Sequence, residues 1–133
     1  MFDEINFGLI PKTLDALSLR QTVISQNISN YNTPGYKRKY VNFESELQKC
    51  LNENDILSLK TNNDRHINNT SSLEIIQADI KEDDSKSLRD DGNNVDPDKE
   101  FVYLIENTLK YNTLSRLMTY AIQRYDTVIR GGK

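Results

Sequence analysis

Few residues in this chain of 133 residues could do chemistry. The one histidine, His66, lies in an asparagine-rich stretch, and the one cysteine is Cys50. Nucleophilic catalysis needs a nucleophile, a base and a group that orients the base, and the sequence offers no such set. A polar surface role for His66 and an inert, partly buried role for Cys50 fit the pattern better. We therefore expect no catalytic residues and no enzyme.

An acidic run around Gly92 has the general composition of a calcium-binding loop. Placing Gly92 at the invariant glycine position of that loop puts Ser87 first, Arg89 third and Asp98 last. A cationic Arg89 then stands where an oxygen ligand is required, so a solvated loop is the better interpretation. The sequence predicts no metal site and no cofactor.

The basic triplet Lys37-Arg38-Lys39 could contact phosphates, but beside the acidic Glu44 and Glu46 it is typical of a solvated surface. Net charge is −3 and unevenly distributed. Residues 61–100 hold eleven acids and five bases, a balance of −6, whereas residues 101–133 hold two acids and five bases, a balance of +3. We expect no nucleic-acid partner.

The sequence also predicts no membrane span and no secretory leader. Apolar residues make up 36% of the chain, and no run approaches the ~18–20 apolar residues that a spanning helix needs. The opening, residues 1–6, is acidic and lacks both a basic and an apolar region, so we expect no cleaved signal peptide.

Any site in this chain must be positioned by two long terminal helices. In the first, apolar residues recur in steps of four and three, which is typical of a heptad seam with one polar interruption. The seam consists of Ile10, Leu14, Leu17, Gln21, Ile24, Ile28 and Tyr31. The opposite side carries Lys12, Asp15, Ser18 and Gln26. Pro11 fits the first turn of a helix of about 22 residues.

Local chemistry predicts where this helix ends. Thr33 precedes a proline and is pushed to extended geometry, and Pro34 cannot continue a helix. The pair Pro34-Gly35 suits the central positions of a type II turn, because glycine takes φ > 0 there without strain. Tyr40, Val41 and Phe43 follow as anchors, and a short helix is predicted over residues 43–52.

A second helix of about 33 residues is predicted to begin after Asp96, with Pro97 in its first turn. Asp98 and Glu100 place negative charge at the positive end of its dipole. Apolar residues recur at helical spacing: Phe101, Leu104, Ile105, Tyr111, Met118, Ile122, Tyr125 and Ile129. Leu114, Leu117, Ala121 and Val128 form a second stripe, and Gly131-Gly132 ends the helix. A surplus apolar face on a long helix implies neighbours from other chains.

The centre of the chain is acidic and rich in asparagine. Only Ile56–Leu59 and the stretch from Leu73 to Ile80 have the composition of short strands. The predicted fold is mainly α, with the two terminal helices paired as a coiled-coil hairpin around an irregular, partly mobile segment with short strands. The predicted division is a discontinuous helical domain, 1–45 plus 96–133, and a central segment, 46–95. We expect Leu14, Leu17, Ile24, Ile28, Phe101, Leu104, Met118, Ile122 and Tyr125 to pack between helices.

Two blocks of residues resemble the bacterial flagellar rod and hook family. The first runs through a heptad helix into Asn-Ile-Ser-Asn, two variable residues and Thr-Pro-Gly-Tyr, with Ser29 in place of the usual alanine. Its motif residues are Arg20, Asn27, Ile28, Asn30, Thr33, Pro34, Gly35 and Tyr36. The second block resembles the entry to the C-terminal helix in the proximal rod members. Its motif residues are Asp91, Gly92, Asn93, Val95, Asp96 and Glu100.

The resemblance implies a structural subunit of the proximal rod, exported by the flagellar type III apparatus without a cleaved signal and located in the basal body within the cell envelope. It implies partners among other rod proteins, the ring-to-rod junction protein, further copies of the chain in a helical assembly, and the export gate. The alternative is a soluble coiled-coil adaptor or regulatory protein that shares only a heptad hairpin. Concentration-dependent assembly with rod components separates the two, because an adaptor stays a small defined oligomer.

Overall fold

A computed structural model describes residues 2–49, 78–87 and 89–131, with side chains described from residue 8 onward. The elements in chain order are helix α1 (Phe2–Ser29), strand β1 (Lys39–Asn42), helical residues 44–49 (α2), strand β2 (Asp79–Glu82) and helix α3 (Pro97–Ile129). The chain is mainly helical with long terminal helices, as predicted. The predicted strand Ile56–Leu59, residues 50–52 of the predicted short helix, His66 and Cys50 lie outside the described residues.

Helix α1 begins earlier than predicted. It has 28 residues and runs through Pro11, which was predicted to lie in the first turn. That prediction is wrong, because nine helical residues precede Pro11 and the helix continues on both sides of it. The predicted end is confirmed: α1 stops at Ser29, before the Pro34-Gly35 turn.

Two faces of α1 are buried, not one. Leu17 and Ile24, on the predicted seam, are buried on the side of α1 where Leu17 and Gln21 bond to α3. A second face that the seam did not predict carries Ala16 and Val23, which form an apolar core with Val41 and Phe43 of the β1 region. Leu19, Leu47 and Ala78 pack around this core. Residues at steps of seven share a helix face, so Ala16 and Val23 lie together on α1.

Strands β1 and β2 pair antiparallel, with Val41 opposite Ile80 and Lys39 opposite Glu82. A two-stranded ribbon is marginally stable alone, and here α1 covers Val41 on one side. Only the end of the predicted stretch Leu73–Ile80 lies in the described chain, and Asp79 and Ile80 are in β2. Through this pairing, β1, which follows α1, is hydrogen-bonded to β2, which precedes α3.

Helix α3 runs antiparallel to α1, because Glu100 contacts Asn27 whereas Asn107, further along α3, contacts Leu17. Its bounds are those predicted: Asp96 accepts from the backbone N–H groups of Asp98 and Lys99, and 33 residues follow. At its C-terminal end Gly131 has φ 76° and stops the helix. None of the helices in the described part of the chain has the length and apolar content needed to cross a membrane.

Candidate functional site: a polar junction between two motifs

The two motif blocks, more than 50 residues apart in sequence, meet at one end of the helix pair. We call this contact region the junction and define it as residues 27–38 together with residues 89–100. It contains three fully buried polar side chains, those of Asn27, Asn93 and Glu100. Buried polar groups are costly unless they are hydrogen-bonded, so the partners of these three side chains decide what the junction does.

Asn27 uses its whole hydrogen-bonding capacity. Its amide nitrogen donates to the Lys39 carbonyl at 2.7 Å and to the Glu100 carboxylate at 3.0 Å. Its amide oxygen accepts from the Lys39 backbone N–H at 3.0 Å and from the Tyr36 hydroxyl at 3.2 Å. An amide side chain has two donors and one oxygen with two lone pairs, so this one residue fixes the end of α1, the start of β1 and the first turn of α3.

Glu100 is a buried carboxylate with a cationic partner. Its Oε1 accepts from the Arg38 Nε at 2.6 Å, and its Oε2 accepts from Asn27. The Arg38 guanidinium lies over the Tyr103 ring, 5.1 Å from its centroid, and 3.6 Å from the Asp83 carboxylate. A buried ion pair contributes little net stability but is strongly destabilising to break. The pair therefore specifies where α3 begins relative to β1.

Asn93 binds the turn that follows α1. Its amide nitrogen donates to three carbonyls in the turn after α1, those of Asn30 at 2.9 Å, Tyr31 at 3.1 Å and Thr33 at 2.9 Å. Its amide oxygen accepts from the Val95 backbone N–H at 2.8 Å. These three carbonyls lie just beyond Ser29, the last residue of α1, so Asn93 joins the second motif to the turn that follows the helix.

The glycine turn is held by the same two segments. The Tyr36 N–H donates to the Thr33 carbonyl at 3.2 Å, and Gly35 has φ 72°, which confirms the predicted turn. The Gly35 N–H donates to the Asp91 carbonyl at 2.8 Å, and a Cβ on Gly92 (φ 78°) would lie 3.9 Å from the Gly35 Cα. Both glycines adopt a backbone conformation that side-chain-bearing residues rarely take.

The start of α3 completes the junction. Asp96 accepts from the Asp98 N–H at 3.1 Å and the Lys99 N–H at 3.4 Å, and these backbone hydrogen bonds, the one from Lys99 foremost, lower the pKa of its carboxyl group. Val95, just before the cap, is buried. Burial also raises the pKa of Tyr36. Hydrogen bonds at the helix cap and burial are therefore the causes of these two pKa shifts.

Arg20 lies outside the junction and contacts the C-terminal end of β1. Its guanidinium donates to both oxygens of Glu44, at 2.7 and 2.5 Å, and to the Val41 carbonyl at 3.2 Å. The hydrogen bond from Arg20 is the main reason that the pKa of Glu44 is lowered. Such a bidentate pair fixes geometry as well as charge.

The remaining predicted residues fall into two groups. Among the motif residues, the Thr33 hydroxyl donates to the Asn30 side chain, Ile28 is half-buried and Pro34 is exposed. Of the residues predicted to pack between helices, Leu14, Leu104 and Met118 are half-buried alongside the buried Leu17 and Ile24. Phe101, Ile122 and Tyr125 are 52%, 51% and 38% exposed, so for these three residues packing between helices stays a prediction.

Several residues of the site were not predicted. Arg38 was assigned to a solvated surface, and that prediction is wrong, because its guanidinium pairs with the buried Glu100. Of its neighbours in the triplet, Lys37 donates to the Gly92 carbonyl and Lys39 forms an ion pair with Glu82. The Asn94 oxygen accepts from the Arg38 N–H at 2.6 Å. No local signal marks these residues, because their partners are more than 40 residues away in sequence.

Asn107 is a further buried polar residue that was missed. Its amide nitrogen donates to the Leu17 carbonyl and to the Gln21 side chain, both at 2.9 Å. Gln21 is the one polar residue of the α1 seam, and Asn107 is its hydrogen-bond partner on α3. The signal for it was that interruption. A polar residue inside a helix–helix seam is paired with a polar residue on the partner helix and sets the register.

A cavity of about 280 Å³ lies between β1 and α3, and two of the cations that line it, Arg20 and Arg38, form ion pairs with Glu44 and Glu100. Within the described residues, no three histidine, cysteine or acidic side chains come close enough together to hold a metal ion. What the geometry can do is fix two helices and a ribbon in one mutual arrangement.

The comparisons with known proteins agree with this structural interpretation. A family model described as flagella basal body rod protein matches residues 12–37. The chain is 38% identical over 133 residues to the flagellar basal body rod protein FlgB of Borrelia hermsii, covering 96% of this chain and 97% of the relative. It is 34% identical over 132 residues to the protein of the same name from Bacillus subtilis, covering 95% and 96%.

The chain belongs to the flagellar basal body rod protein family. Similarity at this level spans both motif blocks and both terminal helices. The resemblance inferred from the two blocks is thereby confirmed, and the family is one of structural rod proteins of the basal body. The family model itself covers only the part of α1 that carries the heptad seam, the turn and the start of the basic triplet.

Proposed function

We propose that the chain is a non-enzymatic structural subunit of the proximal rod, assembled helically into the drive shaft of the flagellar motor. The observation that carries the proposal is the apolar surface of α3. Phe101, Ile105 and Leu109 are each more than half exposed although they belong to a helix whose other side is packed. Exposed apolar surface of this extent on one helix is typical of a protein–protein contact.

The junction supports the same proposal in a second way. A shaft transmits torque only if each subunit keeps a fixed shape under load, and the junction fixes the angle at which the chain leaves α1 and enters α3. Fully satisfied buried polar networks make a structure unique and rigid. Asn27 and Glu100 form such a network with Arg38, and Asn93 bonds the turn after α1 separately, so both motif blocks take part.

Export through the flagellar type III apparatus is part of the proposal, and so are the partners: other rod proteins, the ring-to-rod junction protein, copies of the same chain and, during secretion, the export gate. A chain with one cysteine forms no intramolecular disulfide that would hinder passage in an unfolded form. The corresponding location is the rod of the basal body, outside the cytoplasm. The coarser location, the basal body, follows from family membership.

The test is complementation in a strain of the source organism that lacks the native gene. We expect the chain to restore swimming and to be recovered in purified basal bodies at a fixed ratio to the other rod components. The matched control is the same chain with Gln48, an exposed residue of α2, changed to alanine, which should behave like the wild type. If the chain is absent from basal bodies and stays a small soluble oligomer, whether or not it is secreted, the proposal is contradicted and an adaptor is favoured.

A further inference from the structure

The side of α3 turned away from α1 carries a ridge of large apolar side chains. We call it the outer ridge: Phe101, Val102, Ile105 and Leu109, with Arg116 further along. The four apolar residues are 52%, 54%, 61% and 62% exposed. Steps of three, four and seven place Val102, Ile105, Leu109 and Arg116 on one side of a helix. The ridge has no partner among the described residues other than its own helix neighbours.

The exposed side of α1, in contrast, carries mostly small polar side chains. Asp15, Ser18, Thr22, Ser25 and Ser29 follow one another in steps of three and four, and all are exposed. We call this stripe the serine face. The hydroxyls of Thr22, Ser25 and Ser29 donate to the carbonyls four residues earlier, at 3.3, 2.9 and 2.8 Å. Because those donors already have acceptors, covering the face leaves none of these three hydroxyl donors unpaired.

A pair of opposite charges indicates how the outer ridge of one copy aligns with the serine face of another. Asp15 lies at one end of the serine face and Arg116 at one end of the outer ridge. Neither side chain has an ion-pair partner in the part of the chain that the structure describes. If Asp15 of one copy faces Arg116 of another and the helices run antiparallel, Thr22 meets Leu109 and Ser29 meets Val102. The ridge positions Val102 and Leu109 then fall on small residues, as when the ridges of one helix pack into the grooves of another, while Phe101 and Ile105 lie opposite Asn30 and Gln26.

From this complementarity, which rests on the rod function proposed above, we propose that the outer ridge of one copy packs antiparallel onto the serine face of α1 in a second copy. The two surfaces are different patches of one chain, so the contact is head-to-tail. A head-to-tail contact leaves one ridge and one serine face free at the ends and repeats until a ring closes or a helix grows. The chain thus carries both halves of the lateral contact that a helical assembly requires.

The first test is a charge swap in the complemented strain. Asp15→Arg and Arg116→Asp, each alone, place like charges opposite one another and should lower the amount of subunit in purified basal bodies about fivefold or more. The double variant restores the pair in reverse and should return the amount close to wild type. Circular dichroism of each purified variant checks that these exposed changes leave the fold intact. Harmless single variants, or a double variant no better than the worse single one, would overturn the proposal.

The second test is cross-linking in a Cys50→Ser background. Thr22→Cys combined with Leu109→Cys should yield disulfide-linked dimers and higher multiples when purified basal bodies are mildly oxidised. The control replaces Leu109→Cys by Lys110→Cys, one position along and on the side of α3 that lines the cavity next to β1, and should yield none. Wild-type chain present in basal bodies without specific cross-links overturns this contact alone. Wild-type chain absent from basal bodies overturns the rod function as well.

Discussion

Replacing Asn93 by alanine removes only a small side chain, but it should destabilise the protein strongly. The side chain is 1% exposed, shares its two amide protons among three carbonyls and accepts from the Val95 N–H. Counting two donated bonds and one accepted bond at about 1 kcal/mol each gives a loss of about 3 kcal/mol. That is a large share of the ~5–15 kcal/mol by which a domain of this kind is stable.

Urea unfolding followed by far-ultraviolet circular dichroism measures this loss. With an m-value of about 2 kcal/mol/M, the midpoint of Asn93→Ala should fall by about 1.5 M at an unchanged slope. Asn93→Asp is the sharper variant, because it sets a carboxylate against the same three carbonyl oxygens and should fall further at neutral pH. Asn112→Ala, exposed on α3, is the control and should hold or slightly raise the midpoint. A midpoint for Asn93→Ala equal to that of the control would refute the account of the junction.

Three further outcomes follow from the same geometry. Gly35→Val forces a β-branched residue to φ 72°, at a cost of about 1–2 kcal/mol or more, so swimming and rod incorporation should fail while export continues; swimming at the wild-type level would contradict this. Asp96→Ala removes the α3 cap, at about 0.5–2 kcal/mol, and should appear as less subunit in purified basal bodies with normal secretion; a block in secretion would move its role to export. Glu44 has a lowered pKa because Arg20 bonds its charged form, so its contribution, about 1 kcal/mol at most for an exposed pair, is present above pH 4.5 and is lost as pH falls below that value. The difference between wild type and Glu44→Gln in urea midpoint should therefore shrink on acidification, and a difference that is constant with pH would contradict it.

Features set by local chemistry were predictable from the sequence. The carboxylate of Asp96, the fixed φ of Pro97 and the dipole-matched acids after them act within one helical turn, so the start of α3 needed no knowledge of the rest of the chain. The turn at Gly35 was predictable for the same reason, since its conformation excludes most other residues.

Features set by distant partners were not predictable in this way. Arg38 looks like any base in a surface triplet until Glu100, 62 residues away, is placed beside it. The second buried face of α1 depends on β1 folding back against Ala16 and Val23, and the seam alone gives no sign of it. The two motif blocks were visible as separate patterns, but that Asn93 would close the end of α1 required the tertiary structure.

A side-chain-resolution reconstruction of basal bodies purified from the complemented strain would show whether this chain is a rod subunit. We expect copies of this chain in the rod wall, each with α1 and α3 antiparallel and with the Asn93 side chain against the carbonyls of residues 30, 31 and 33. A rod whose density is fully explained by other proteins, with this chain absent, would contradict the account.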